Sequence, residues 1–398
     1  MRVLMLNPSF SAGAFNHRLC NALVDLGLEV DLWTGPLHAV LSSAWEPPRY
    51  NTQVRFYRRT QLASWRPGMS RHLWRAFRML GHIGSALRLL AQARRYDVVH
   101  VYFHAVQAFD SLWHPWLQHR AVVAYHVHNV YPHDAPRTAA LTAGLKRIYH
   151  GSDLLFCHTE DSRQALRGDF GVPDDRITLI PLGNVCDIVR RDLIPDKGKI
   201  GLDGAGPPLV LMLGDVRHDK GVDVLLRATA ILRERGVTVR VLVAGRHPGG
   251  SPRRLAELAT ELGVSDRVEF RSGFIAEAEI PAYLAAADIV AFPYREIAQS
   301  AGAVWAISYG RPIVASRIGG LTSLVEDGGA GLLVPPESPR ELAAAIEALL
   351  RNPADRERMG AAGRRYAQSS LDWRPIAQRV LDAYERALAV TAAGERGR

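Results

Sequence analysis

Short apolar runs alternate with amphipathic stretches along most of the chain. Val3–Leu6, Glu29–Trp33, Asp97–Phe103 and Ala121–His128 are strand candidates, and the last two are rich in valine. Asn16–Leu26 between the first pair carries the 3.6-residue period of a helix. Strands separated by helices imply βαβ units and a parallel sheet. Continuous Val-rich runs suit strands covered on both faces. The alternation fails at 187–208, where Pro195, Gly198, Gly201, Gly204, Gly206, Pro207 and Pro208 fall among charges. That composition predicts a linker between domains. A second series then begins. Leu209–Leu213, Val239–Ala244, Asp288–Phe292 and Pro312–Ala315 read as strands, and Val222–Arg235 as a helix ended by Gly236. The pattern therefore predicts two doubly wound α/β domains, 1–186 and 209–374. A helix and tail, 375–398, return to a surface that periodicity does not identify.

One amphipathic stretch changes the picture. No acidic residue occurs between Glu46 and Asp97, yet the interval holds eleven arginines interleaved with Trp65, Trp74 and Phe77. From Arg71 the spacing is helical. Arg71, Arg75, Arg78, His82, Arg88 and Arg95 form one stripe, and Leu73, Phe77, Leu80, Leu87 and Leu90 lie towards the other. Two readings stand. The apolar row packs into the core and the cations are solvated, or 49–95 makes peripheral contact with an anionic membrane. The net charge of +9 agrees with an anionic partner but does not point to a fold. No nucleic-acid-binding motif accompanies the charge, so nucleic acid is not expected.

Cys20, Cys157 and Cys186 form no C-x-x-C pair, which predicts neither a disulfide framework nor a zinc knuckle. No apolar run reaches the ~18 residues of a membrane-spanning helix. A cytoplasmic protein is expected, at most attached to the inner membrane face.

The chemistry concentrates where strands end. Leu213-Gly214-Asp215-Val216-Arg217-His218-Asp219-Lys220-Gly221 comes after one strand and opens a helix. Ligands of open α/β sheets sit at such carboxyl ends. There a helix N-terminus, the planar fork of Arg217 and the point charge of Lys220 favour an anion. Ser316-Arg317-Ile318-Gly319-Gly320-Leu321 is a second turn of this kind. Ser9-Phe10-Ser11-Ala12-Gly13-Ala14, in the first half, is a third.

At this point the chain resembles glycosyltransferase family 4, retaining enzymes of GT-B fold, over nearly its whole length. His126-Val127-His128-Asn129-Val130-Tyr131-Pro132-His133 is similar to the family's T-V-H-N-x-x-P-H segment. Gly151-Ser152-Asp153 through His158-Thr159-Glu160 resembles its A-D…H-S-E segment, and Ile180-Pro181-Leu182-Gly183-Asn184 its I-P-H-G-N turn. Gly214–Gly221 resembles the diphosphate-binding G-x-x-R-x-x-K-G. Gly310–Ser316 with Gly319-Gly320 resembles G-K/R-P-V-V-A-S-x-x-G-G, and Gly331–Pro335 resembles G-x-L-V-P.

The resemblance implies two Rossmann-like domains facing across a cleft and transfer of a sugar from a nucleotide-sugar donor. The basic first half suits a lipid-linked or otherwise anionic acceptor, so a saccharide or lipid-linked acceptor of polysaccharide or glycolipid assembly is expected. The resemblance also implies that Arg217 and Lys220 bind the donor diphosphate and that His128 meets the donor sugar or its reacting centre. No cofactor or metal is implied. Gly13, Arg246, Phe274, Gln299, Ser300, Gly319 and Gly320 are candidate substrate contacts. His133 is either structural or acceptor-facing.

The family's two glutamates, separated by seven residues, are not in place. Trp305 and Ile297 occupy their positions, with Glu296 one residue from the first. Glu296 is the candidate replacement. Loss of the second glutamate also leaves open a catalytically lapsed homologue acting as a partner subunit. A nucleotide-sugar epimerase on the same fold is less consistent with the two ordered motifs.

Overall fold

The computed structural model describes residues 1–9, 12–36, 42–57, 70–132, 138–202, 206–247 and 252–394. The chain forms two compact units, Met1–Pro181 with Trp373–Arg398, and Leu182–Asp372.

The first unit is built on a parallel sheet. In chain order its strands are β1 (Arg2–Asn7), β2 (Glu29–Thr34), β3 (Asn51–Val54), β4 (Val98–Val101), β5 (Val122–Val127), β6 (Leu154–Cys157) and β7 (Ile177–Leu179). Their order across the sheet is β3-β2-β1-β4-β5-β6-β7, so the winding reverses between β1 and β4. Register pairs Met5 with His100, His100 with Ala124, and His126 with Phe156. β4, β5 and β6 are buried along their whole lengths, as expected of strands covered on both faces. The helix Trp373–Ala392 packs on the helix Gly13–Asp25. Its Tyr384 hydroxyl reaches His100 Nδ1 at 2.5 Å, inside the sheet's cover.

The second unit repeats the plan with β8 (Leu209–Leu213), β9 (Arg240–Gly245), β10 (Val268–Ser272), β11 (Ile289–Phe292), β12 (Ile313–Ser316) and β13 (Gly331–Val334). All pairings are parallel, in the order β10-β9-β8-β11-β12-β13, and the winding reverses between β8 and β11.

Two expectations are corrected. The stretch 187–208 is not a free linker. Val185, Ile188, Val189 and Leu202 are buried in the second unit, and the Arg271 guanidinium donates to the Ile200 carbonyl at 2.5 Å. The boundary falls at Pro181, and soon after it the Asn184 amide bonds the Ala367 and Leu371 carbonyls. Proline and glycine mark irregular backbone, whereas the scattered Val, Ile and Leu decide burial. The last helix begins at Trp373 rather than at 375.

The second correction concerns the helix Arg71–Gln92. It forms as its period predicts and is capped by the Ser70 hydroxyl. Its buried face, however, is His82, Ser85, Ala86 and Leu89, with Ala93 just beyond. His82 bonds Asp110 at 2.6 Å and Tyr57 at 2.9 Å, so it leaves the solvated stripe. Leu73, Phe77, Leu80 and Leu87 are exposed. A buried hydrogen-bonded imidazole thus sets the helix's rotation. Arg58, Arg59, Trp65 and Arg66 lie outside the described residues, as do Phe10, Ser11, His133 and the last four residues of the tail. No helix among the described residues is long and apolar enough to cross a membrane.

Candidate active site

In the second unit the candidate residues come after five strands that neighbour one another. Phe274 follows β10, Arg246 follows β9, Arg217 and Lys220 follow β8, Glu296 to Ser300 follow β11, and Gly319-Gly320 follow β12. These positions flank the winding reversal, where an open α/β sheet leaves a crevice for ligand.

Three of the loops interlock through glycine. Gly221 has φ +65°, and a Cβ there would lie 1.9 Å from the Pro293 carbonyl oxygen. Gly319 has φ +45°, and a Cβ would lie 2.1 Å from the Ile297 carbonyl oxygen. Only glycine fits either place. The β8 loop is thereby pressed against the start of the β11 loop, and the β12 turn against its middle. Backbone bonds fix the same contacts: Arg295 N to Asp219 O at 2.8 Å, and Gly320 N to Ala298 O at 2.9 Å.

Two helices open from these glycines, Val222–Glu234 and Gly319–Glu326, and neither has a side-chain cap. Gly320 N is committed to the Ala298 carbonyl and Val224 N to the Gly221 carbonyl, while the positive end of each helix dipole still favours an anion there. The helix Ala301–Ser308 differs. The Ser300 hydroxyl caps it at 3.2 Å from Ala303 N and is buried in doing so. Ser300 thus has a structural role at the loop's end. The Gln299 side chain packs against Gly320.

The cations are held ready. Arg217 grips Asp219 through two bonds of 2.9 Å. Lys220 is buried, lies 3.6 Å from the same carboxylate, and sits 3.9 Å over the ring of Tyr294. Burial pushes the Lys220 ammonium down to about 8 from its ordinary 10.5, although Asp219 opposes the shift. Two cations on one carboxylate leave charge for a further anion. Arg246 is tied to Asp215 by two bonds of 2.8 Å, and Val216 N bonds the Arg246 carbonyl. Arg295 braces the loop by bonding Asp223, Glu337 and the His218 carbonyl. Asp219, Tyr294 and Arg295 were not singled out from the sequence. Asp219 lies inside the matched motif, but Tyr294 is recognisable only once β11 is placed beside β8.

Phe274 is exposed, and Glu296 is exposed on the rim of the β11 loop. Trp305 is buried and stacks on Tyr309 at 5.7 Å, so its position is a packing position.

In the first unit the corresponding edge carries imidazoles. His128, just past β5, is partly exposed and stacks on Phe103 at 4.1 Å with the rings 6° from parallel. Tyr102 meets it edge-on at 4.7 Å. His128 bonds the Tyr102 backbone, and its Nε2 has no hydrogen-bond partner among the described residues. His126 stacks behind it at 4.5 Å. Its Nε2 is 3.1 Å from His158 Nε2, and His158 Nδ1 is 3.0 Å from the Ile180 carbonyl. Burial, and for the first two nearby imidazoles, holds His126, His128 and His158 below the ordinary histidine value, His158 at about 4. The rings are therefore neutral near pH 7. A carbonyl only accepts, so His158 carries its proton on Nδ1 and accepts from His126 Nε2–H.

The sequence showed no metal-ligand cluster, yet among the described residues the fold assembles one group able to hold a metal. The ligating atoms of His126, His128 and His158 lie within 4.8 Å of one another. Gly13 opens the helix Gly13–Asp25 after Ala12, which adopts φ 49°, and that helix also lacks a side-chain cap.

This arrangement agrees with the comparisons. Residues 12–183 match the family described as Glycosyl transferase 4-like domain, and 207–352 match Glycosyl transferases group 1. The D-inositol 3-phosphate glycosyltransferase of Nocardia farcinica is 33% identical over 74% of this chain and 67% of its own length. That of Kineococcus radiotolerans is 33% identical over 76% of this chain and 74% of its own. Anabaena HepE, solved in complex with UDP-glucose, superposes with a TM-score of 0.72 at 20% identity, covering 97% of this chain and 100% of that one. The chain belongs to the family-4 glycosyltransferases. It is an enzyme of that class, and its fold is GT-B.

Proposed function

We propose that the enzyme moves a hexose from a nucleoside-diphosphate sugar to a saccharide or lipid-linked acceptor of polysaccharide or glycolipid assembly, retaining the anomeric configuration. One observation carries the donor assignment. Arg217, Lys220 and two uncapped helix N-termini follow β8 and β12, on either side of β11 next to the winding reversal. That concentration of positive potential suits a diphosphate. The UDP-glucose bound to Anabaena HepE, a protein of the same fold, supports a donor of this class.

In the proposed reaction the bond from the sugar's anomeric carbon to the diphosphate breaks. A bond from that carbon to the acceptor oxygen forms on the same face. The acceptor's proton passes to the departing phosphate oxygen. Charge grows on the diphosphate in the transition state, and Arg217, Lys220 and the positive helix ends stabilise it without reorganising. No metal or organic cofactor is needed for that step. Neutral His128 offers Nε2 as an acceptor to a sugar hydroxyl, and Glu296 is the candidate carboxylate for the sugar. A cytoplasmic location at the inner membrane face fits the acid-free interval 49–95.

Incubating the purified protein with UDP-, GDP- and ADP-sugars tests the reading. Slow hydrolysis of one donor set, with calorimetric binding of the matching nucleoside diphosphate, is expected. No binding of any nucleoside diphosphate overturns it.

A further inference from the structure

The helix Arg71–Gln92 has two faces, and only one is used by the fold. His82, Ser85, Ala86 and Leu89 face the core of the first unit. Leu73, Phe77, Leu80 and Leu87 lie about 180° away, at helical spacings of four, three and seven residues. Their exposures are 64%, 50%, 67% and 63%. Gly84 and Ala91 share the row and are also exposed. Single exposed leucines are ordinary, but a row of four large apolar side chains on one helix is not. It runs for about 21 Å from Leu73 to Leu87.

We infer that this row is a membrane-docking face, with Leu73, Phe77, Leu80 and Leu87 entering the headgroup boundary of an anionic bilayer. Charge complementarity selects the occupant. Arg88 is exposed and projects within about 65° of the row, exposed Arg94 and Arg95 come just after the helix, Arg75 and Arg78 project from its opposite side, and no acid lies between residues 47 and 96. Cations around an apolar row suit anionic headgroups above acyl chains. A second copy of the chain would bring like charges together across this face. A nucleic acid would use the arginines and leave the leucines in water.

The helix is fixed in this rotation. His82 is locked to Asp110, which also accepts from the Trp113 indole and the Val106 amide. Arg78 lies over the Tyr57 ring at 5.1 Å. The apolar row is therefore presented by a braced helix rather than by a loose one. The inference deepens the acceptor-side reading, because a lipid-linked acceptor is met at such a surface. It is tested without turnover, so the two can fail separately.

The test is sedimentation of the full chain with phosphatidylcholine vesicles, with and without phosphatidylglycerol. Binding to the anionic vesicles, and little to the neutral ones, is expected. Phe77→Asp with Leu80→Asp lowers that binding at least about tenfold, since two apolar side chains no longer enter lipid. Arg88→Gln and Arg94→Gln each lower it about fivefold. Because these positions face solvent, far-UV circular dichroism and donor hydrolysis remain as in the wild type. A Phe77→Trp variant reports insertion directly by a blue shift of its emission with anionic vesicles. Wild-type binding by the double aspartate variant overturns the inference. So does equal binding to both vesicle types. Light scattering that shows a dimer broken by the same variant without vesicles assigns the face to a second copy instead.

Discussion

The two units share one winding and differ in the side chains at their strand ends. β1 corresponds to β8, β4 to β11 and β5 to β12 in the two sheet orders. After β8 and β11 the second unit places buried Lys220, Arg217 and the Tyr294 face. After β4 and β5 the first unit places Tyr102, Phe103 and His128, rings that are neutral near pH 7. Only the β4 and β11 ends correspond, and both carry aromatic rings; the cations follow β8 on one side of that position and the imidazole follows β5 on the other. The backbone supplies the crevice, and a few strand-end side chains decide whether it attracts an anion or a neutral polar group. This is why the diphosphate is proposed for the second unit and the sugar side for the first.

The largest expected effect breaks the charged half of that comparison. Arg217→Ala or Lys220→Ala should each reduce turnover by about 10²–10³-fold, as for loss of a preorganised electrostatic group. Steady-state transfer and calorimetric titration with a nucleoside diphosphate check this. Wild-type turnover in both variants would remove the diphosphate assignment.

A smaller effect is expected on the neutral half. His128→Ala should lower turnover about tenfold to a hundredfold while nucleoside diphosphate affinity holds, because the imidazole lies in the other unit. Equal losses in both would show that the halves are not divided as argued.

Much of this contrast was legible in the sequence. Gly214–Gly221 and the Val-rich strands stand as continuous segments, and their order along the chain carries the family resemblance. The histidine group was less legible. His126 and His128 are close in sequence, but His158 and His100 join them only through the register of β4, β5 and β6. The rotation of the helix Arg71–Gln92 was hidden for another reason. Both of its faces hold apolar residues, and one buried bond from His82 to Asp110 chooses between them. The linker was misplaced because its glycines and prolines outnumber the few apolar residues that anchor it. The capping role of Ser300 was not legible, because a helix cap and a ligand contact call for the same hydroxyl.

The neutral half should also be the acid-sensitive one. Burial holds His100 at about 3 and His158 at about 4, and lowers His114, His126 and His128 as well. The unfolded chain takes up protons on these groups below the ordinary histidine value of 6.5, and the folded chain does not. Stability from their neutral burial is therefore complete above pH ~6.5 and is lost as pH falls towards ~4. Each histidine contributes on the order of 1.4 kcal/mol per pH unit in that window. Chemical denaturation at a series of pH values should show the midpoint falling steeply below pH ~6.5. A flat profile would mean that the rings are already protonated in the folded protein.

The smallest effect belongs to Lys220, and it acts in opposite senses on binding and folding. Its folded value of about 8 lies below the ordinary 10.5. Between these limits the unfolded chain holds the extra proton. Stability therefore rises with pH through this window, and that gain is lost as pH drops back to about 8. Diphosphate binding runs the other way, because the free enzyme's ammonium is lost above pH ~8 while Arg217 stays charged. Nucleoside diphosphate affinity should fall about tenfold between pH ~8 and ~9, the slope of one proton. A Lys220→Met variant should bind weakly at every pH and show no such slope. If the wild type and Lys220→Met titrate in parallel, the group that loses its proton is not Lys220, and the charged half rests on Arg217 and the helix termini alone.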